Sequence, residues 1–330
     1  MRELTAANAL AYLTEKGRIA PGPARVELLG GGVSNVVLRV ETADQIFILK
    51  QSCPQLRTRD AWFSDLERVY REQEVMQVLE PLLPPLTVPK VLFGDRDNYV
   101  FAMSHAPAGA RVWKHLLLAG ETDATVAEQV GTVLGRMHDA TARDPHLVEG
   151  FRDATVFDQL RVDPFYRRVQ ERRPEVAHVV GPIIDRMLTQ KLALCHGDYT
   201  PKNILVYDRG FTLVDYETAY FGDPTMDLGL CLCHLLLKAV KFADNRERYL
   251  GLTRAFWRGY EREATFRPLA ELQRNGIEHV GVCLLARVDG TSPVEYLGEG
   301  QRATVRRFGR RVLLDTPGTW DDVLSLLAKS

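Results

Sequence analysis

The sequence predicts an α+β chain in two parts: an antiparallel, strand-rich segment over residues 1–103 and a mostly helical segment over 104–330. Three patterns carry this. Short apolar runs joined by tight polar links fall in pairs before residue 104. From residue 123 the apolar positions recur at helical spacing instead. One later pair of β-like runs, 204–207 and 211–216, interrupts the helical part and is bracketed by acidic and amide side chains.

Taken in order, residues 3–16 read as a helix with Leu10 and Leu13 on one side, broken by Pro21-Gly22-Pro23. Val33–Val40 and Gln45–Lys50 follow as strands, and the short polar link 41–44 makes them a hairpin. Residues 64–80 read as a helix ended by Pro81, Pro84 and Pro85. Val88–Phe93 and Tyr99–Met103 flank the polar turn 94–98 and give two more strands. In 123–141, Val126, Val130, Val133, Leu134 and Met137 mark one helical face, and Gly131 and Gly135 on the same helix suit close packing against a neighbour. Ile204–Tyr207 and Phe211–Tyr216 form a hairpin about Asp208-Arg209-Gly210, and from 225 onward the pattern is again helical.

A chain of 330 residues is long enough to bury a full core and to divide into two lobes. Its net charge of −1, with 26% charged residues, gives no electrostatic case for a nucleic-acid or membrane partner. An apolar fraction of 45% suits a globular protein. The five cysteines are odd in number and contain no Cys-x-x-Cys, which argues against a disulfide framework. Cys231, Cys233 and His234 lie in a run that reads as a buried helix rather than a metal site. The N-terminus lacks the apolar core of a signal peptide, and the apolar stretch 226–240 is interrupted by Asp227, His234 and Lys238. The expectation is a soluble cytoplasmic protein.

Several polar residues stand where packing alone does not explain them. Gly30-Gly31-Gly32-Val33-Ser34-Asn35 lies between an apolar segment and a strand, where glycines let backbone N–H groups approach a phosphate; it also reads simply as a turn. In the helix 64–80, Glu72 falls on the apolar stripe of Val69, Met76 and Leu79. A carboxylate there is costly unless paired, and Lys50, ending the strand Ile46–Leu49, is the simplest partner; Glu67 and Glu74 point elsewhere on the helix. The third group is His196-Gly197-Asp198, with Asn203 five residues beyond Asp198 and Asp215-Tyr216-Glu217 ending the next apolar run. In an extended chain positions i and i+2 share a face, so Asp215 and Glu217 are expected to point at one cation site.

The spacing of Asp198, Asn203 and Asp215 is that of the catalytic loop and metal-binding aspartate of the protein-kinase fold. His-Gly-Asp, where kinases carry His-Arg-Asp, resembles the family of aminoglycoside phosphotransferases, choline kinases and methylthioribose kinases, which phosphorylate small molecules. The likeness runs from Gly30 to about Leu237. It implies a bilobal protein-kinase-like fold, with an N-terminal nucleotide-binding lobe over 1–103 and a helical lobe over 104–330 carrying the catalytic loop and acceptor site. It implies ATP and Mg²⁺ as cofactors and a small-molecule hydroxyl as acceptor.

By the same resemblance Asp198 orients the acceptor hydroxyl and accepts its proton, while Asn203, Asp215 and Glu217 face the metal. Gly31, Gly32, Ser34, Asn35, Lys50 and Glu72 serve the nucleotide, and Met103, Ser104 and His105 form the hinge at its adenine. His196 and Asp227 support the catalytic loop. Leu49-Lys50-Gln51, Glu67–Glu72 and Glu217–Gly222 look most similar to methylthioribose kinases, whereas Asn203 and Asp215-Tyr216-Glu217 look more like the aminoglycoside and choline branches. Two stretches are candidates for the acceptor pocket, 160–167 with Arg161 and Asp163, and 286–296 with Arg287 and Asp289; each reads equally as a solvated loop. Arg302, Arg306, Arg307, Arg310 and Arg311 read as a solvated helical face. The expected acceptor is a sugar-like or amino-alcohol metabolite, a methylthioribose-like compound among them. The alternatives are an aminoglycoside-modifying enzyme and a non-catalytic nucleotide-binding module.

Overall fold

A computed structural model describes residues 1–30, 35–53 and 65–329. The chain divides into two compact units, Met1–Gly109 with Thr212–Glu217, and Ala110–Phe211 with Thr218–Ser330. The first therefore runs six residues past the boundary expected from sequence and takes back a short later segment.

In the first unit, α1 (Ala9–Glu15) precedes β1 (Ala24–Leu28), β2 (Asn35–Thr42), β3 (Ile46–Ser52), α2 (Arg68–Leu79), β4 (Val91–Asp95) and β5 (Val100–Ser104). The five strands form an antiparallel sheet in the order β1-β2-β3-β5-β4. Strand alternation puts Val36, Leu38 and Val40 of β2 on one face, where they pack with Phe47, Leu49, Val100 and Ala102. Leu4, Ala9, Tyr12 and Leu13 close over that face. The N-terminal helix is shorter than the expected 3–16, its first residues being taken up by turns. β1 is the strand the sequence did not reveal: Arg25 and Glu27 alternate with half-buried residues on an exposed edge, so it lacks an apolar run. Residues 212–217 are held in this unit by a bond from Leu213 N to Thr87 O (2.7 Å) and one from Thr212 Oγ1 to Leu86 O (2.8 Å).

The second unit begins with β6 (Arg111–Val112), α3 (Trp113–Leu118), α4 (Ala124–Thr141), α5 (Pro145–Phe151), α6 (Thr155–Phe157), α7 (Arg168–Arg172) and α8 (Ala177–Thr189). It continues through β7 (Ala193–Cys195), β8 (Ile204–Tyr207), β9 (Gly210–Leu213, whose last two residues fall in the first unit) and β10 (Tyr220–Gly222), then α9 (Thr225–Lys241), α10 (Arg246–Glu263), α11 (Leu269–Asp289), α12 (Glu299–Asp315) and α13 (Trp320–Ala328). Asp123 caps α4, its side chain accepting from Thr125 N at 2.8 Å. Three glycines bring α4 and α10 into backbone contact. A Cβ at Gly131 would lie 1.9 Å from Phe256 O, one at Gly135 2.8 Å from Tyr260 O, and one at Gly259 2.1 Å from Glu128 O. Among the described residues no helix is long and apolar enough to cross a membrane.

Two local features position the site. β7 and β10 pair antiparallel, with Cys195 opposite Tyr220, and so clamp the stem of the loop that follows β7. Between α6 and α7 the helix widens to π-type hydrogen bonding over Asp158–Arg167, where Pro164 lacks the amide that a regular helix would use.

Candidate active site

In the first unit the polar centre is built on β3 and α2. Lys50 pairs with Val37 and Phe101 across the middle of the sheet and is almost fully buried. Its Nζ lies 2.6 Å from Glu72 Oε2 and 2.8 Å from Asp215 Oδ1. Glu72 is wholly buried on the stripe of α2, so pairing with Lys50 is what makes its burial tolerable. Burial alone would depress the lysine, but the carboxylates of Asp215 and Glu72 outweigh it and hold Lys50 above the usual lysine range. Asp215 has a left-handed backbone, φ +74°, uncommon for a residue with a side chain. Its side chain remains about a quarter exposed.

That conformation corrects one expectation. β9 ends at Leu213, so Asp215 and Glu217 are not paired on one extended face. Glu217 instead accepts from Asn35 Nδ2 at 2.8 Å and from Arg68 Nε at 3.1 Å. Arg68 is itself buried and also donates to Cys53 O. Sequence reasoning assigns no role to this arginine, which lies in the charged run 65–74 and enters only as part of the stretch Glu67–Glu72. Its one distinguishing mark is adjacency to Val69 at the start of the buried stripe. Of the glycine-rich turn, Gly31, Gly32 and Ser34 lie outside the described residues. Met103 is buried at the end of β5, and Ser104 Oγ accepts from Lys90 N at 2.9 Å; His105 follows, half-buried.

In the second unit the loop after β7 is held from behind. Asp227, in the first turn of α9, accepts from His196 N at 2.7 Å and from Gly197 N at 2.9 Å. His138 of α4 stands 3.5 Å from the same carboxylate and meets Tyr260 of α10 through its other nitrogen at 3.1 Å. Gly197 has φ +76°, and a Cβ there would meet Thr218 O at 2.4 Å, so only glycine fits this turn. His196 Nδ1 accepts from Asp198 N at 3.1 Å, a bond that turns the loop rather than one that moves a proton to substrate.

Three donors converge on Asp198 Oδ2: Arg161 Nη2 at 2.7 Å, Lys202 Nζ at 2.7 Å and Asn203 Nδ2 at 2.9 Å. Asn203 Nδ2 also reaches the Asp198 backbone carbonyl at 2.9 Å. Arg161 sits on the π-type segment and anchors the loop a second time through Gly197 O at 3.0 Å. Of the other acceptor candidates, Asp163 is exposed beside Arg167, and Asp289 is engaged by Arg173 and by Arg306 at 3.0 Å. Arg306 is therefore tied down rather than solvated, and Arg302 donates to Leu297 O and Val294 O. Arg287 lies against His234 and Phe165.

An antiparallel-sheet unit carrying a buried Lys–Glu pair, joined to a helical unit whose loop presents Asp198 and Asn203, defines the protein-kinase-like class of α+β phosphotransferase folds. Residues 25–272 match the model of the phosphotransferase enzyme family, and the chain belongs to that family. It is a small-molecule kinase. The methylthioribose kinase of Yersinia pseudotuberculosis serotype IB (strain PB1/+) is 26% identical over 98% of this chain and 95% of its own. Two solved structures share the fold. An amicoumacin kinase in complex with AMP-PNP, Ca²⁺ and Ami has a TM-score of 0.57 at 13% identity, covering 96% of this chain and 97% of its own. A choline/ethanolamine kinase family protein from Mesorhizobium loti has a TM-score of 0.51 at 19% identity, covering 94% of both chains.

Proposed function

We propose that this kinase transfers the γ-phosphoryl group of ATP to a hydroxyl of a small, sugar-like metabolite, with Asp198 as the residue that receives the hydroxyl. The observation that carries this is the setting of Asp198. Its carboxylate is almost fully buried in a loop fixed by Asp227, yet it is fed by three side-chain donors on a single oxygen. A carboxylate held this way aligns a hydroxyl more than it strips its proton, which suits a loose transfer governed by positioning.

Lys50 supplies a fixed positive charge for the α- and β-phosphates, aimed by Glu72. The donor set suits Mg²⁺. Asp215 brings a partly exposed carboxylate, and Asn203, whose amide nitrogen is taken by Asp198, has a neutral side-chain oxygen to offer. When bound, Mg²⁺ would neutralise charge on the β- and γ-phosphates. Glu217 acts on this centre indirectly, by fixing Arg68 and Asn35 beside it. The hinge role of Met103, Ser104 and His105 is a proposal by position.

The test is ADP release with ATP and Mg²⁺ over a panel of hydroxyl acceptors that includes methylthioribose. Asp198→Asn should lower acceptor-dependent turnover by about 10²–10⁴-fold and leave ATP affinity within a few-fold. Full turnover in that variant refutes the assignment.

A further inference from the structure

Beyond Asp198 the second unit carries a group of cations with no carboxylate partner. Lys238, in the middle of α9, is fully buried. Its Nζ donates to His234 O one turn back at 3.0 Å and lies 5.5 Å from the centre of the Tyr296 ring. Arg287 of α11 donates to His234 Nε2 at 3.3 Å and stands 4.7 Å from the centre of the Phe165 ring. Arg161 approaches the same ring at 5.9 Å. The arginine that holds Asp198 and the arginine that meets His234 thus approach one aromatic side chain. Among the described residues, none of Lys114, His234, Lys238 and Arg287 has a carboxylate within ion-pair distance.

The charges act on one another as a cluster. Burial pushes Lys238 down to about 7, with Lys114 and Arg287 adding to the effect. Burial, then Arg287, Lys238, Lys202 and Lys114, hold His234 well below the usual histidine range. Two polar atoms here are buried without a hydrogen-bond partner, Arg287 Nε and the Tyr296 hydroxyl. A folded chain rarely keeps buried cations and orphaned donors together without a counter-charge, and among the described residues none supplies one.

We infer that the acceptor of this kinase bears a carboxylate or phosphate group, which Arg287, Lys238 and Tyr296 hold while its hydroxyl is presented to Asp198. This rests on the kinase reading above and narrows it to anionic hydroxy compounds. Phe165 supplies the apolar wall between the anionic end and the reacting end. The same cluster disfavours polycationic aminoglycosides and choline-like amines, since three of its side chains, Lys114, Lys238 and Arg287, are lysine or arginine.

The experiment compares acceptors built on one five-carbon skeleton: ribose, its open-chain C1 carboxylate ribonate, and ribose 5-phosphate. Binding is measured by calorimetry with AMP-PNP and Mg²⁺ present, and turnover by ADP release. At least one anion should bind about tenfold or more tightly than ribose, the gain expected from a charge-assisted hydrogen bond. The ribonate and ribose 5-phosphate arms separate carboxylate from phosphate. Arg287→Ala should reduce that preference to within about twofold, and Arg287→Lys should restore part of it. Lys238→Met, which removes a buried charge without leaving a cavity, gives the same readout should Arg287→Ala unfold. Equal binding of all three compounds, or a preference that survives both substitutions, overturns the inference. Acceptor-dependent ADP release without anion preference sinks this inference alone. Anion-selective binding without ADP release keeps the cationic site and sinks the kinase reading.

Discussion

Lys238 offers a stability prediction whose sign follows from its surroundings. Its ordinary value of 10.5 falls to about 7 in the folded protein because burial disfavours the charged form. Between those values the unfolded chain binds the proton and the folded chain does not. Stability therefore rises with pH across the window from about 7 to 10, and the full penalty is felt below it. The interval caps the penalty at about 5 kcal/mol, falling by about 1.4 kcal/mol per pH unit within the window. The Tyr296 ring, 5.5 Å away, returns about 1 kcal/mol of this by cation–π attraction. Lys238→Met should then raise the unfolding free energy at pH 6 by a few kcal/mol and change it little near pH 10. Urea unfolding of both proteins at the two pH values measures this, and the difference between them isolates the one titration. A variant less stable than the parent at pH 6, or a gain that is the same at both pH values, refutes the reasoning. The stabilised variant should also lose anionic acceptor affinity, a trade expected where a strained charge serves binding.

Other perturbations separate the two centres. Lys50→Met leaves Glu72 buried without its cation and should cost about 3–5 kcal/mol, read as a lowered melting temperature. Adding Glu72→Leu should recover part of that loss, and the double-mutant cycle gives the coupling. Gly197→Ala forces a Cβ against Thr218 O in a left-handed turn; it should cost about 2 kcal/mol or more and lower kcat with little change in ATP affinity. Asp227→Ala strands the buried N–H groups of His196 and Gly197, at about 1–3 kcal/mol each, and should reduce kcat far more than Asp227→Asn, which keeps one acceptor oxygen.

What the sequence disclosed was what local spacing can carry. Asp198 and Asn203 stand five apart in one loop and bond to each other. Glu72 was visible because a carboxylate interrupts an apolar stripe of fixed period, and Lys50 because it ends an apolar strand. What spacing did not carry were contacts across long chain separations, including the role of Arg161, which the sequence marked only as an acceptor candidate. Arg68 meets Glu217 149 positions away, and Arg161 meets Gly197 36 positions away. Neither partner marks the other, and each arginine sits in a stretch that reads as solvated. Arg161 is aimed by a widened helical segment whose hydrogen bonding no apolar period encodes. The pairing of Asp215 with Glu217 failed because strand alternation stops at Leu213, where the backbone turns left-handed two residues later.

The glycine contacts between α4 and α10 have a consequence for the loop at Asp198. Two helices touching through their backbones leave no side chain free to repack, so the pair opens as one cooperative block. Amide protons of Val130–Leu134 should then exchange with solvent only through global unfolding of the second unit. The loop is tied to this block by Tyr199 Oη, which donates to Val130 O at 2.8 Å, and by His138 beside Asp227. The carboxylate of Asp198 thus takes its position from the part of the unit expected to exchange slowest, while Lys202, four residues on, reaches the same carboxylate from a half-exposed position at the surface.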